Sequence, residues 1–333
     1  MPLIEPSDYR PPWWLPNGHL QTVWPPLFRR VDGVHYQREA LELADGDFLL
    51  LDWHRTGSRR LAIVSHGLEG HSRRAYVLGM IRLFGANGWD GLAWNFRGAA
   101  GVPNRLPRFT TNTAAEDLAA VTAHAAATGR YDEITLIGFS MGGNLTLLYL
   151  GRHRQEVPVR VRSAVVFSVP LHAPTAGPRL DLPCNALYTQ RFLHSLRRRI
   201  ADLDRRHPGV IPVAGCNRVR SLAQFDERFT APLHGFRGAR EYWEAGNSRP
   251  YLERIAVPTL LINARNDSLL SPECFPVPEA SRSPWLFLEM PEAGGHCGFA
   301  GGPAEAYWSE RRAVGFAEAA PDLAGTAAAA RSA

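Results

Sequence analysis

Cysteine is scarce in this chain: Cys184, Cys216, Cys274 and Cys297 are the only four among 333 residues. No two are spaced as Cys-x-x-Cys, so neither a zinc site nor a redox pair is read here. Four cysteines in this length do not make a disulfide scaffold, and most of them read as small buried apolar residues. Long hydrophobic runs are also missing. No stretch of about 18 apolar residues occurs, so no membrane-spanning helix is expected. The N-terminus, MPLIEPSDYRPPWWLPNGHL, has no basic stretch leading into an apolar run. No secretory signal is read there, and the cytoplasm is the expected location. An excess of one charge is nearly absent as well. The 37 basic and 32 acidic side chains leave a formal net charge of +5. That surplus does not point to nucleic acid, and ordinary solubility accounts for it. No internal repeat is present.

What is present is a chain 45% hydrophobic and 21% charged, which is the composition of a folded protein with a large core. Short apolar runs alternate with helical stretches. The runs are Leu61–Ser65, Asp90–Asn95, Glu133–Phe139, Ser163–Ser168, Val257–Ala264 and Trp285–Met290. Each is short and continuous, as strands buried on both faces of a parallel sheet should be. The helical stretches fall at about 75–86, 114–127, 142–152 and 303–319. A repeated βα pattern predicts an α/β fold with a mostly parallel, doubly wound sheet. Runs at Gln37–Leu43 and Phe48–His54 flank Asp45-Gly46, a hairpin signal, so the sheet is expected to begin antiparallel.

Three regions stand outside this rhythm. Residues 1–30 are rich in Pro and Trp and read as an extended arm anchored on the core by tryptophans. Residues 320–333 are rich in Ala and read as a flexible tail. Between 170 and 249 no strand is evident, and a helical lid insertion is expected there. The core then comprises residues 31–169 and 250–319.

Gly138-Phe139-Ser140-Met141-Gly142 matches the G-x-S-x-G elbow. An apolar strand precedes Ser140 and a helix follows, which is the setting that motif needs. The nucleophile sits on a tight turn that closes only between small residues. A serine hydroxyl needs a base to take its proton, and the elbow predicts an acid and then a histidine in chain order. Asp267 follows one strand and His296 the next, so all three can converge at one sheet edge. Backbone N–H groups of Leu68 and Met141 are the expected oxyanion donors, with His66-Gly67 shaping the first. No cofactor and no metal is called for.

Other residues compete for roles. Glu292 lies on the wrong strand to be the acid, and Asp226 reads as a lid residue making local hydrogen bonds. His19 and His172 read equally as pocket or surface histidines. His66, Gly67, Phe139, Tyr188 and Phe192 are taken as candidate substrate contacts. Leu187, Tyr188, Phe192, Leu193 and Leu196 fall near helical spacing, which suits docking of the lid or the lining of an acyl pocket. Arg191, Arg197, Arg198, Arg199, Arg205 and Arg206 read first as a solvated face. Peripheral contact with an anionic membrane is the sharper alternative.

The chain also resembles the YheT-like branch of the α/β-hydrolases. The segments that carry this are WWLPNGHLQT (13–22), SHGLEGH (65–71), NFRGAAGVPNR (95–105), GFSMGGNLTLLYL (138–150), FDERFTAPLHGF (225–236), NARNDSLLS (263–271) and GGHCGF (294–299). The resemblance implies an α/β-hydrolase fold with a lid, and Ser140, Asp267 and His296 as nucleophile, acid and base. It implies the same oxyanion pair. It implies a small-molecule substrate, an acyl ester or a lipid. The chain departs from the pattern at Phe109-Thr110, where the branch often has Tyr-His, and at His172, where an acidic residue is common. The expectation is a serine esterase acting on medium- or long-chain acyl esters. Thioesterase, amidase and perhydrolase chemistry on the same residues is one alternative, and a non-catalytic ligand-binding member of the same fold is the other.

Overall fold

In a computed structural model, residues 3–211, 213–301 and 306–332 are described, with side chains as far as Leu323. Nine strands form one sheet: β1 (Leu3–Ile4), β2 (Gln37–Glu42), β3 (Phe48–His54), β4 (Arg60–Ser65), β5 (Asp90–Asn95), β6 (Glu133–Phe139), β7 (Val161–Phe167), β8 (Thr259–Ile262) and β9 (Leu286–Glu289). Their order is β1-β9-β8-β7-β6-β4-β5-β3-β2. β3 runs antiparallel to β2 and β5, and the other neighbours are parallel. The α/β fold expected from the pattern is therefore the one observed.

The helices are α1 (Gly18–Phe28), α2 (Ala75–Ala86), α3 (Ala115–Ala127), α4 (Met141–Arg152), α5 (Ala173–Arg179), α6 (Ala186–Arg206), α7 (Leu222–Phe225), α8 (Ala231–Leu233), α9 (Ala239–Ala245), α10 (Val277–Arg282) and α11 (Trp308–Ser332). The sheet separates two apolar layers because strand side chains alternate between its faces. Leu61 and Ile63 of β4 join the layer that contains α3 and α4. Their neighbours Ala62 and Val64 join the layer that contains α2 and α11.

The segment between β7 and β8 is helical and holds no strand among the described residues. It has an apolar cluster of its own, in which Leu193, Leu196, Ile200 and Leu203 of α6 meet Leu222, Phe225 and Phe229.

Two expectations are corrected, for the arm and for the cysteines. The arm of residues 1–30 is not extended throughout, since α1 occupies Gly18–Phe28. The Asn17 side chain caps it by accepting from the Leu20 N–H at 3.0 Å. Pro25 and Pro26 fall only in its last turn, where they remove few intrahelical bonds. The stretch from 320 continues α11 as far as Ser332, consistent with alanine's high helix propensity. Of the cysteines only Cys274 is buried, and Cys184 is exposed. Of the six arginines on α6, Arg191, Arg198 and Arg205 are exposed, while Arg197 donates to the Val219 carbonyl, Arg199 pairs with Glu69 and Arg206 donates to the Asn104 carbonyl. No helix among the described residues is long and apolar enough to cross a membrane. Residues 302–305, part of one expected helix, lie outside the described residues.

Candidate active site

The buried strand β6 ends at Phe139, and the chain turns into α4 through Ser140 at φ 53°, ψ −118°. Side chains rarely adopt a positive φ, so this turn is strained and must be held from outside. The Ser140 N–H donates to the Phe167 carbonyl on β7 at 2.8 Å, and the Ser140 carbonyl accepts the Asn144 N–H at 3.0 Å. A Cβ on Gly142 would stand 2.5 Å from the carbonyl oxygens of both Ser65 and His66. Only glycine lets the start of α4 press so closely on the end of β4. A Cβ on Gly67 would lie 3.2 Å from that of Ser140, so the loop after β4 passes directly beside the hydroxyl.

The His296 ring reaches Ser140 from the loop after β9. Its Nε2 is 2.9 Å from Ser140 Oγ, and its Nδ1 is 2.8 Å from Asp267 Oδ2. The Asp267 side chain is fully buried, and its other oxygen accepts the Leu269 N–H at 3.0 Å. Burial opposes a charged ring at His296, but the Asp267 carboxylate and Cys297 together outweigh it and hold the His296 pKa well above the ordinary value. The arrangement can take a proton from Ser140 and store it on an ion-paired imidazolium.

What fixes His296 was not foreseen from sequence. Thr22 on α1 accepts the His296 N–H at its hydroxyl, 2.8 Å away, and donates to the Gly18 carbonyl at 2.6 Å. Gln21, fully buried, accepts the Gly294 N–H at 2.7 Å and the Asn266 side-chain amide at 3.1 Å. Asn266 in turn accepts the Gly295 N–H at 2.9 Å. Thus α1 clamps the Asp267 and His296 loops together. Its far end is pinned by a buried ion pair, Arg29 to Glu310 at 2.5 Å. The signal available was Asn17 as a helix cap followed by Gln21-Thr22, and the flanking prolines obscured it.

The insertion also touches the site. Glu69, beside Leu68, pairs with Arg199 of α6 at 2.8 Å and accepts a hydrogen bond from the Ser195 hydroxyl. Met141 is the first residue of α4, where N–H groups lack intrahelical partners.

Two expected substrate contacts are corrected. His66 is buried, with Nδ1 2.8 Å from the Gly67 carbonyl and Nε2 accepting the Phe96 N–H at 3.2 Å. Burial pushes its pKa down to about 3, so it is a neutral brace for the loop. Phe139 is buried in the core, its ring stacked on Phe167 with centroids 5.1 Å apart. Tyr188 does approach the site from α6, its hydroxyl 3.0 Å from His19 Nδ1. Phe192, one turn later, is half-buried against the insertion's apolar cluster.

The rival residues have other partners. Asp226 accepts from Trp243 Nε1 at 2.9 Å, and burial raises its pKa to about 6. Glu292 is exposed and pairs with Arg265. His172 lies 2.7 Å from the Thr175 hydroxyl, and Phe109 is buried in the insertion's cluster. Two cavities, of about 570 and 270 Å³, open in the insertion and beside Arg97. Neither is lined by Ser140, Asp267 or His296. Among the described residues, no group of three or more His, Cys, Asp or Glu is placed to hold a metal ion.

Comparison with known proteins agrees with this fold. Residues 63–303 match the model of the alpha/beta hydrolase fold. The esterase candidate YheT of Escherichia coli (strain K12) is 32% identical over 303 residues, covering 89% of this chain and 88% of its own. The human phospholipase ABHD3 is 28% identical over 326 residues, covering 94% of this chain and 79% of its own. An esterase of Pyrococcus furiosus superposes with a TM-score of 0.53 at 21% identity, over 80% of this chain and 88% of its own. By sheet order, elbow and sequence alike, the chain belongs to the α/β-hydrolase family, in the branch that contains YheT.

Proposed function

We propose that this esterase- or lipase-type hydrolase cleaves medium- or long-chain acyl esters, lipid esters among them, through an acyl-enzyme on Ser140. The hydrogen-bonded chain Ser140–His296–Asp267 on a strained elbow is the observation that carries this. His296 Nε2 takes the hydroxyl proton as Ser140 Oγ bonds to the ester carbonyl carbon. Asp267 holds the ring and stabilises its charged form. The negative oxygen is met by the N–H groups of Leu68 and Met141, each contributing about 10²–10³ in rate. As the bond to the leaving alcohol breaks, His296 returns the proton to that oxygen. Water, deprotonated by His296, then attacks the acyl-enzyme and frees the acid and Ser140.

The relatives named as a phospholipase and an esterase candidate support a lipid-like acyl chain. On this proposal the segment 170–249 is a lid, and Tyr188 its residue nearest the substrate. The test is a p-nitrophenyl ester series from acetate to palmitate, with Ser140→Ala as control. Turnover peaking at medium or long chains, and lost by about 10⁴-fold or more in the variant, is the expected result. Full activity in Ser140→Ala would overturn the mechanism. A peak at acetate would overturn the chain-length assignment.

A further inference from the structure

The face of α1 opposite the site has no partner in the core. Gln21 and Thr22 look toward His296. Leu20, Trp24, Leu27 and Phe28 are 44, 38, 52 and 58% exposed, at the i, i+4, i+7, i+8 spacing of one helical stripe. Trp13 and Trp14, just before the helix, are 87% and 51% exposed, and Trp24 and Phe28 hold their rings 4.2 Å apart. Among the described residues, every exposed Trp or Phe lies in this arm. The stripe is joined to the insertion where His19 meets Tyr188, and Leu187 beside that tyrosine is 83% exposed. An exposed apolar surface of this kind marks a contact site.

Charge selects the occupant. No acidic residue occurs from Tyr9 to Val31. Exposed Arg10 and Arg30 flank the stripe, and exposed Arg191 lies one turn beyond Leu187 on α6. Tryptophan rings settle at headgroup depth in a bilayer, and arginines meet lipid phosphates there. An aromatic face edged by arginine, on a stretch with no carboxylate from Tyr9 to Val31, therefore fits an anionic phospholipid surface. At 11 residues α1 is too short to span a bilayer and suits lying within its boundary.

We infer that Trp13, Trp14 and the outer stripe of α1 form a docking face for an anionic phospholipid surface, which brings the ester bond of a lipid beside Ser140. This deepens the lipid-ester proposal and rests on it, but docking is measured without turnover. Because Thr22, Gln21 and Arg29 tie the same helix to the site and core, the face keeps a fixed position relative to Ser140.

The experiment uses the full chain carrying Ser140→Ala, with vesicles of phosphatidylcholine alone or mixed with phosphatidylglycerol. Co-flotation with the mixed vesicles and a blue shift of tryptophan emission are expected. Adding Leu27→Glu and Phe28→Glu, both at exposed positions, should weaken vesicle binding by about tenfold or more. In the otherwise native chain that pair should leave turnover of a water-soluble short ester unchanged and lower turnover of a vesicle-borne ester. Absence of flotation, or equal flotation of the charged pair, would overturn the docking face. Equal binding to pure phosphatidylcholine would overturn its anionic specificity. A dimer that the charged pair dissolves, without vesicle binding, would show a second copy to be the occupant and overturn the proposal. Flotation with no ester turned over would leave the docking face standing and remove the catalytic reading.

Discussion

The two sides of the site are held by different kinds of contact. Around Ser140 the support is backbone against backbone: the Phe167 carbonyl holds the elbow, and Gly142 admits the carbonyls of Ser65 and His66 within a distance no Cβ tolerates. Around His296 it is side chain against backbone. Gln21 and Thr22 reach the loop from positions 273 and 274 residues earlier in the chain. The Ser140 side is thus a steric device and the His296 side a hydrogen-bonded one. A steric device tolerates no bulk at all. A hydrogen-bonded one is adjustable, because each tie can be removed singly without a clash.

The sharpest test of the His296 side is Asp267→Asn. In the native chain Asp267 raises the His296 pKa, and the proposed base must be neutral to act. Activity should therefore fall with decreasing pH through a value above the ordinary one for histidine. Replacing the carboxylate leaves burial, which disfavours the charged ring, so the acid limb should move to lower pH. The residual rate should drop by about 10⁴-fold, because the ring loses its orientation and its charge partner. A pH–rate profile of kcat/KM on a soluble ester, for both proteins, checks both outcomes. An acid limb that stays in place would mean that Asp267 does not set the His296 pKa.

The same contrast explains what the sequence discloses. The elbow is legible because its steric demand is local: two glycines, a serine, a preceding strand and a following helix all fall within twenty residues. Asp267 and His296 could be paired with it because parallel strands deliver their ends to one edge, and β8 and β9 were recognisable as apolar runs. The Gln21 and Thr22 clamp was hidden for the opposite reason. Its partners are distant, and Pro25 and Pro26 argued against the helix that presents it. As substrate contacts His66 and Phe139 were misjudged, because a place at a strand end does not show which way a side chain points. Both turn inward, and the structure uses them to hold the loop and the core. The Pro- and Trp-rich arm gave its composition away but not its direction, one face to the site and one outward.

Breaking the clamp should cost less than breaking the acid. Thr22→Ala removes the acceptor for the His296 N–H, and Gln21→Ala frees Gly294 and Asn266 together. Each should lower kcat by about 10- to 100-fold, since displacements near 1 Å in a reacting group cost up to that much. KM should change little. Thr22→Ser keeps the hydroxyl and should restore most of the rate. Steady-state kinetics beside thermal unfolding separate the cases. A lowered Tm with unchanged kcat in Thr22→Ala would show that α1 supports the fold and not the position of His296.

The smallest effect is expected where the insertion meets the loop of Leu68. Arg199 pairs with Glu69 at 2.8 Å and donates to the Arg97 carbonyl at 3.1 Å, tying α6 to the residue next to a proposed oxyanion donor. Removing a donor outright costs about 10²–10³, so loosening one should cost roughly tenfold or less. Arg199→Ala should therefore lower kcat severalfold on a short soluble ester. Arg199→Lys, which can keep the ion pair but not the planar fork, should fall between. The decisive readout is the split between constants. If the tie positions the loop, kcat falls with KM nearly unchanged. If it only seats the lid over substrate, KM rises and kcat holds, and the insertion would then belong to binding alone.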